Sequence, residues 1–303
     1  MKYSLTNRDL KVEFDTFGGQ ITSIRDENGV EYLWQADARY WGGQAPVLFP
    51  IVGSLRNKKA VVGKSKTCCM ERHGVVRKLE FSMTEQTENS VTFTICSDDR
   101  TKERFPYDFR LDIKYILSGR KLTTQYTVTN PSDEVLPFQI GGHPAFNCPI
   151  NENESFEDYV VEFEHEETAD CPAPVPATGL LDVENRTRVL DHSAVLKLNH
   201  GLFKVDALIF DRLKSRKARL YNPKTGYGVA MDFSDFKNLL VWSSSNGGPF
   251  VALEPWSGLS TCSDEDDIFE HKRGVFLLAG GQDKTLAFTV TVLNGSGGQK
   301  QVR

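Results

Sequence analysis

Hydrophobic and polar residues alternate with a period of two along most of this chain. In the clearest run, 109–117, every second residue is apolar. A second run, 122–128, follows a Ser118-Gly119 turn, so the two runs are predicted to form an antiparallel hairpin. Similar runs lie at 10–14, 91–95, 159–163, 229–233, 251–253 and 286–292. One apolar and one polar face are typical of antiparallel strands that cover a core.

Helical patterns are scarce, and strand patterns continue along the chain without a change of composition. Residues 97–100 predict a single helical turn, which Pro106 soon ends. We therefore predict one antiparallel β-sandwich over residues 1–293. Residues 294–303 are rich in Gly, Gln and Ser and predict a disordered tail. Residues 171–178 contain three prolines, which lack the N–H that a strand ladder needs, and predict an extended surface loop.

Composition excludes several classes of protein. The net charge of −5 argues against a nucleic-acid binder, which needs a basic face. No apolar run approaches the length that spans a bilayer, and the first residues lack the apolar stretch of a secretory signal. The six cysteines are scattered without a C-x-x-C pair, which is typical of free thiols in a reducing compartment. We expect a cytoplasmic protein that binds neither nucleic acid nor a membrane.

A histidine lies in a glycine-rich motif that follows a strand-like stretch. In Gly141-Gly142-His143-Pro144, the two glycines allow close approach of the backbone, and the proline restricts the chain after the imidazole. The pKa of histidine lies near neutrality, so His143 is a candidate for proton transfer. The same pattern is also compatible with a plain turn that holds a hydrogen-bonded histidine.

Glu254 is the second candidate, because it follows the apolar run 251–253 at the predicted end of a strand. Pro255 is expected to end that strand, next to Trp256. A carboxylate beside an indole suits a sugar site, where the carboxylate accepts hydroxyl hydrogens and the ring covers an apolar sugar face. Burial would also raise the pKa of the carboxyl toward that of a useful base. The alternative is a surface glutamate at the end of an edge strand.

The ordered set of motifs resembles the aldose 1-epimerase (galactose mutarotase) family, in the branch that accompanies lactose and other sugar operons. The motifs are PVLFPIVG at 46–53, HGxxR at 73–77, GGHPAFN at 141–147 and EPWxG at 254–258. The resemblance extends to about Leu293. It implies an all-β fold, a large antiparallel β-supersandwich of the galactose mutarotase type. It also implies a sugar as the small-molecule ligand, with no cofactor. No metal is expected, because no candidate ligands lie at a short spacing in the sequence.

The resemblance further implies the roles of individual residues. Glu254 corresponds to the base that removes the proton of the C1 hydroxyl, and His143 to the acid that protonates the ring oxygen. His73 corresponds to a histidine that binds near the ring oxygen, and Asp206 to an aspartate that binds hydroxyls. The expected activity interconverts the α and β anomers of a hexose through ring opening and closure.

The chain departs from the family pattern in two places. Within the HGxxR box, Val75 and Val76 replace the aromatic residue and alanine that are common in relatives, which would alter the pocket wall. The second departure concerns an arginine. Relatives carry an arginine directly after the glycine that corresponds to Gly53, where this chain has Ser54. Three outcomes stay open: Arg56 replaces the sugar contact, Arg77 supplies it, or the contact is lost.

A non-catalytic sugar sensor is therefore an alternative. A hexose 6-phosphate substrate is another, because several basic residues lie in the region where a phosphate would bind: Arg56, Lys58, Lys59, Arg72 and Arg77. A metal site on two histidines and two carboxylates, and a glycosidase pair formed by Glu254 and Asp206, are weaker alternatives.

Overall fold

A computed structural model describes residues 1–63 and 65–295. Helical structure in this part of the chain is limited to α1 (Asp99–Lys102) and five short 3-10 segments: Arg56–Lys58, Val76–Lys78, Phe156–Asp158, His200–Phe203 and Phe269–His271. Asp98 caps α1, because its side chain accepts the N–H of Thr101. No helix among the described residues has the length and apolarity needed to cross a membrane.

The remaining regular structure is β, as the alternation predicts. The strands, in chain order, are β1 Lys2–Thr6, β2 Leu10–Asp15, β3 Gln20–Asp26, β4 Val47–Leu48, β5 Lys59–Val62, β6 Lys66–Cys69, β7 Ser82–Gln86, β8 Ser90–Cys96, β9 Arg110–Ser118, β10 Lys121–Thr129, β11 Leu136–Phe138, β12 Gly141–Gly142, β13 Ala145–Asn147, β14 Val160–Val175, β15 Leu180–Lys197, β16 Leu208–Phe210, β17 Lys217–Tyr221, β18 Tyr227–Asp232, β19 Asn238–Trp242, β20 Phe250–Trp256, β21 Phe276–Leu278 and β22 Asp283–Asn294. The predicted hairpin is β9–β10, with Leu117 opposite Leu122.

Two large antiparallel sheets dominate the fold. The nine-stranded sheet has the order β15-β14-β17-β18-β22-β10-β9-β8-β7, and the second has the order β16-β19-β20-β12-β4 with β13 also paired to β20. One hydrophobic cluster contains side chains of both sheets, including Leu111 and Val290 from the first sheet and Val251 and Leu253 from the second. The prediction of an all-β, mutarotase-type fold is confirmed.

Strand β20 has a different role on each of its faces. Val251 and Leu253 point into the core that the two sheets share. Because successive side chains of a strand point to opposite faces, Ala252, Glu254 and Trp256 lie on the other face. Even there the side chains are buried. Glu254 is thus an ionisable residue within a fully buried strand, where the cost of desolvation is large.

Two expectations about prolines were wrong. Strand β14 continues to Val175, and Pro172 and Pro174 both pair with residues of β15, so 171–175 is not a loop. The ladder between β14 and β17 ends at Phe163, and beyond it β15 is the only described strand that pairs with β14. Among the described strands, the other edge of β14 is therefore unpaired there, and a proline can lie in the strand without removing a ladder hydrogen bond on that edge. Pro255 does not end β20 either. The N–H groups of Leu253 and Ser257 donate to Pro144 and Ile140, and the ladder tolerates one missing bond between them.

The predicted tail cannot be compared in full with the structure. Asn294 is the last residue of β22, opposite Tyr227, and residues 296–303 lie outside the described part. A single domain over 1–293 stays a prediction.

Candidate active site

A cavity of about 190 Å³ opens on the face of the second sheet that carries Glu254. Its wall contains six of the seven residues predicted from the sequence, namely His73, Arg77, His143, Asp206, Glu254 and Trp256. The other lining residues are Trp41, Arg72, Ala207, Leu240 and Trp242. The fold therefore brings together residues that lie far apart in the chain.

Strand register places His143 opposite Glu254. Gly141 pairs with Trp256, and Ala145 pairs with Ala252, so a continuous antiparallel register aligns His143 with Glu254. The Nε2 atom of His143 lies 3.3 Å from Oε2 of Glu254. The glycine is required here, because a Cβ at position 141 would lie 2.9 Å from the carbonyl oxygen of Pro255. The Gly-Gly motif therefore allows the histidine segment to approach β20.

Both members of this pair are removed from water. Glu254 is 2% exposed, and burial raises the pKa of its carboxyl well above the ordinary value, against the influence of Arg72. Burial lowers the pKa of His143 to about 3, with Arg72 and Arg77 acting in the same direction. Neither Oε2 of Glu254 nor Nδ1 of His143 has a hydrogen-bond partner among the described residues. A buried polar atom without a partner is rare in folded proteins, so this pair is a candidate functional site.

His73 is fixed in one tautomer by the backbone of Gly53. The backbone N–H of His73 donates to the carbonyl of Gly53 at 2.7 Å, and the N–H of Gly53 donates to Nδ1 of His73 at 3.1 Å. Since Nδ1 is an acceptor and burial lowers the pKa of this imidazole, Nε2 carries the proton. The ring lies edge-on to His143 and Trp256, with centroid distances of 5.7 and 5.5 Å. His73 can therefore donate a hydrogen bond into the cavity.

Asp206 lies just before β16 and forms part of the cavity wall. Its Oδ2 accepts from both terminal nitrogens of Arg72 at 3.4 Å, and its Oδ1 accepts the N–H of Ala207 at 2.9 Å. The long distances to Arg72 describe a loose pair at the edge of the cavity, where Arg72 is exposed. The carboxylate of Asp206 therefore keeps acceptor capacity at the edge of the cavity.

The three sequence expectations about the missing arginine differ in their support. Arg56 does not line the cavity, because its guanidinium binds Asp267 and the carbonyls of Cys262 and Glu265. Ser54 also lies outside the cavity lining, and its N–H donates to Ser260. Arg77 does line the cavity and is half-buried, and burial lowers the pKa of its guanidinium. It forms no ion pair with a described residue.

Two tryptophans of the cavity lining, Trp41 and Trp242, were not predicted from the sequence. Trp41 stacks on the imidazole of His143 with a centroid distance of 4.7 Å and an angle of 22°. Trp242 meets the same ring edge-on at 5.4 Å. The Trp41-Gly42-Gly43 sequence was a usable signal for a close contact, because paired glycines beside a large aromatic residue permit tight packing.

The described part of the chain contains no group of three or more His, Cys, Asp and Glu side chains that could hold a metal ion. The cavity instead brings together a buried carboxyl, an imidazole beside it and a neutral histidine donor, which are groups that acid–base sites use. Aromatic side chains on the same wall are typical of sites that bind sugar rings. The class that fold and site indicate is a β-sandwich protein with a polar, aromatic-lined cavity for a small molecule.

Comparison with known proteins identifies the family. The family model described as aldose 1-epimerase matches residues 1–266. A chromosomal LacX protein of Lactococcus lactis subsp. lactis is 46% identical over 97% of this chain and 100% of its own length. A galactose mutarotase related enzyme from Lactobacillus acidophilus superposes with a TM-score of 0.91, at 31% identity over 99% of this chain and 100% of that one. A galactose mutarotase-like protein from Lactobacillus casei gives a TM-score of 0.86 at 29% identity, over 96% of this chain and 100% of that one.

This chain belongs to the aldose 1-epimerase family. Membership supports a general role as a sugar epimerase or mutarotase, with a small-molecule sugar as substrate.

Proposed function

We propose that the protein interconverts the α and β anomers of an aldohexose, with Glu254 as base and His143 as acid. The observation that carries the proposal is the 3.3 Å separation of Glu254 Oε2 and His143 Nε2 at the wall of a sugar-sized cavity. The anomeric oxygen and the ring oxygen of an aldose are bonded to the same carbon, C1. Two groups that exchange protons with them must therefore lie side by side.

Ring opening requires the carboxylate and the imidazolium. Glu254 removes the proton from the C1 hydroxyl, and the oxygen forms a carbonyl with C1. The bond between C1 and the ring oxygen breaks, and that oxygen takes a proton from His143. Rotation about C1–C2 then exposes the other face of the aldehyde. Positioned proton transfer contributes about 10²- to 10⁴-fold for each group.

Ring closure requires the opposite protonation state. The protonated Glu254 returns its proton to the carbonyl oxygen while neutral His143 accepts the hydroxyl proton. The pair thus holds one proton throughout, and both groups return to their starting forms. Burial favours the uncharged state, since it raises the pKa of Glu254 and lowers that of His143. A hydroxyl that donates to Glu254 favours the charged state for opening.

The other lining residues supply orientation. The Nε2–H of His73 is suited to donate to the ring oxygen or to a neighbouring hydroxyl. Asp206 and Arg72 offer an acceptor and a donor for hydroxyls at the edge of the cavity. Trp256 offers an indole beside Glu254. The cytoplasmic location stays a prediction, which the six free thiols support.

Polarimetry or NMR exchange on freshly dissolved α-glucose and α-galactose tests this proposal. We expect Glu254→Gln and His143→Ala each to lower the rate of mutarotation by at least about a hundredfold. Unchanged rates in both variants would refute these assignments. Wild-type protein that binds the sugars without accelerating mutarotation would instead identify a non-catalytic sugar sensor.

A hexose 6-phosphate is a second candidate substrate, favoured by one observation. Arg77 reaches the cavity half-buried without an ionic partner among the described residues, and a phosphate could provide one. We expect Arg77→Gln to lower kcat/KM for glucose 6-phosphate by about tenfold or more and to affect glucose little. Lys78→Gln, an exposed change on the same 3-10 segment, serves as the control. Equal losses for both sugars would exclude a phosphate contact.

A further inference from the structure

No carboxylate or carbonyl of another described residue accepts a hydrogen bond from Nδ1 of His143. In most catalytic histidines, the nitrogen that does not take part in proton transfer bonds a carboxylate or a carbonyl, which fixes the ring plane. Here Nδ1 of His143 is buried without a hydrogen-bond partner on another described residue, and the imidazole forms a hydrogen bond only with its own backbone. Packing against neighbouring side chains is therefore the main contact that can hold Nε2 toward Glu254.

Aromatic side chains enclose this imidazole. The indole of Trp41 covers one face in a nearly parallel stack, at 4.7 Å and 22°. Trp242 and His73 meet the ring edge-on, at 5.4 and 5.7 Å. A parallel stack restricts rotation of the imidazole, because turning the ring would drive its edge into the indole.

The segment that carries Trp41 is held in place by hydrogen bonds. The backbone carbonyl of Trp41 accepts a hydrogen bond from Nε1 of Trp34 at 2.8 Å. The backbone N–H of Trp41 donates to the carbonyl of Asp37 at 2.9 Å. The side chain of Asn246 donates to the carbonyl of Arg39 at 2.8 Å. Residues 37–43 are therefore anchored although they form no helix or strand.

Gly43 creates the space for the indole. A Cβ at position 43 would lie 2.4 Å from the six-membered ring of Trp41, a distance that side chains do not tolerate. A Cβ at Gly42 would meet nothing within 4 Å. Neither glycine has a φ in the left-handed region, so alanine is compatible with both backbones. The two glycines therefore differ in whether a methyl group would collide with Trp41.

We propose that Trp41 is a positioning residue that holds His143 for proton transfer, and that Gly43 permits the stack. The inference rests on the proposed function and adds a residue to it. Indole faces also attract cations, so Trp41 favours the imidazolium that ring opening requires. The charged groups around His143 act on the same equilibrium. Arg72 and Arg77 oppose the imidazolium, whereas the ionised form of Glu254, 3.3 Å away, would favour it.

Four variants test the inference: Trp41→Ala, Trp41→Phe, Gly43→Ala and the control Gly42→Ala. We expect Trp41→Ala and Gly43→Ala to lower kcat for mutarotation by about tenfold or more and to change KM by less than about threefold. Trp41→Phe retains an aromatic face and should keep most of the activity. Gly42→Ala should match wild type. Melting temperatures show whether each variant is folded.

The proton resonances of the His143 imidazole provide a readout that does not depend on activity. In wild type and Gly42→Ala, the stacked indole should shift them upfield, and in Trp41→Ala and Gly43→Ala this shift should disappear. Wild-type resonances without the shift, or variants that raise KM at constant kcat, would overturn the inference. Absence of turnover in wild type would overturn the proposed function, while the resonances would still show whether Trp41 and Gly43 hold the ring.

Discussion

Two buried glutamates in this protein have opposite surroundings. Glu167, on β14, is 3% exposed and accepts hydrogen bonds from the N–H groups of Lys214 and Ser215 and from the Ser215 hydroxyl. Glu254, on β20, is 2% exposed, yet its Oε2 has no hydrogen-bond partner among the described residues. Equal burial thus accompanies a satisfied carboxylate in one region and an unsatisfied one in the other.

The difference shows which carboxylate the fold uses for its own stability. A buried carboxylate that accepts several N–H and O–H bonds repays its desolvation, and at Glu167 those bonds tie β14 to residues 214–215. At Glu254, burial outweighs the favourable influence of Arg72 and Trp256, so the cost of desolvation is not repaid in full. A poorly compensated ionisable group in a cavity is typical of functional sites.

Exchange of each carboxylate for an amide should produce opposite results. Glu254→Gln should lose at least about a hundredfold in mutarotation rate, while Glu167→Gln should remain active. Glu167→Gln should lose about 1–3 kcal/mol in the free energy of unfolding, because an amide cannot accept all the bonds that the carboxylate accepts. Mutarotation assays and denaturant unfolding measure the two quantities.

The stability of Glu254→Gln should also depend on pH. The pKa of Glu254 is raised in the folded state. Above the unfolded value of 4.5, the folded protein therefore binds a proton that the unfolded chain has released, and the stability of wild type falls as the pH rises. We expect Glu254→Gln to be more stable than wild type at pH 7, with the difference vanishing as the pH falls toward 4.5. A destabilised Glu254→Gln at pH 7 would show that the carboxyl contributes to the fold, as Glu167 does.

A smaller effect is expected from His73 in acid. Its pKa is lowered in the folded state, so below about 6.5 the unfolded chain binds a proton that the folded protein does not. This residue should therefore reduce the stability of wild type as the pH falls, by at most about 1.4 kcal/mol per pH unit. In His73→Asn, the amide oxygen can still accept the N–H of Gly53, and asparagine tolerates the φ of 72°. Parallel stability curves for the two proteins between pH 7 and 5 would contradict the assignment.

The smallest effect should follow from Arg56→Gln. This guanidinium binds Asp267 and two carbonyls away from the cavity. We expect the variant to lose about 1 kcal/mol of stability and to keep mutarotation within about twofold of wild type. A large loss of activity at constant stability would show that Arg56 contributes to the sugar site.

Much of the fold was predictable because strand alternation is a local property. Runs such as 109–117 and 122–128 became β9 and β10, which pair as the predicted antiparallel hairpin. The prolines misled the prediction, since the harm done by a missing N–H depends on whether a partner strand lies on that side. In 171–175, only one edge of the strand is paired among the described residues. At Pro255, the ladder lacks one hydrogen bond but keeps those of Leu253 and Ser257 on either side.

The candidate site was also predictable only in part. His143 and Glu254 were identifiable from their motifs, but Trp41 was not, because its contact with His143 depends on how residues 37–43 fold over the sheet. Arg56 is close in sequence to the position of the missing arginine, yet its guanidinium donates a hydrogen bond to Asp267 and does not line the cavity. Proximity along the chain does not determine where a long, flexible side chain finds its partners.

By itself, the sequence determined the alternating strands, the flexible glycines and the reactive side chains, since each depends on the chemistry of a few neighbouring residues. Only the tertiary structure decided that His143 and Glu254 face each other at 3.3 Å, that Gly53 selects the tautomer of His73, and that Trp41 covers the imidazole. These contacts join distant segments, so they depend on strand register and packing across the whole molecule. Burial then sets the direction of the pKa shifts, and burial exists only once the chain is folded.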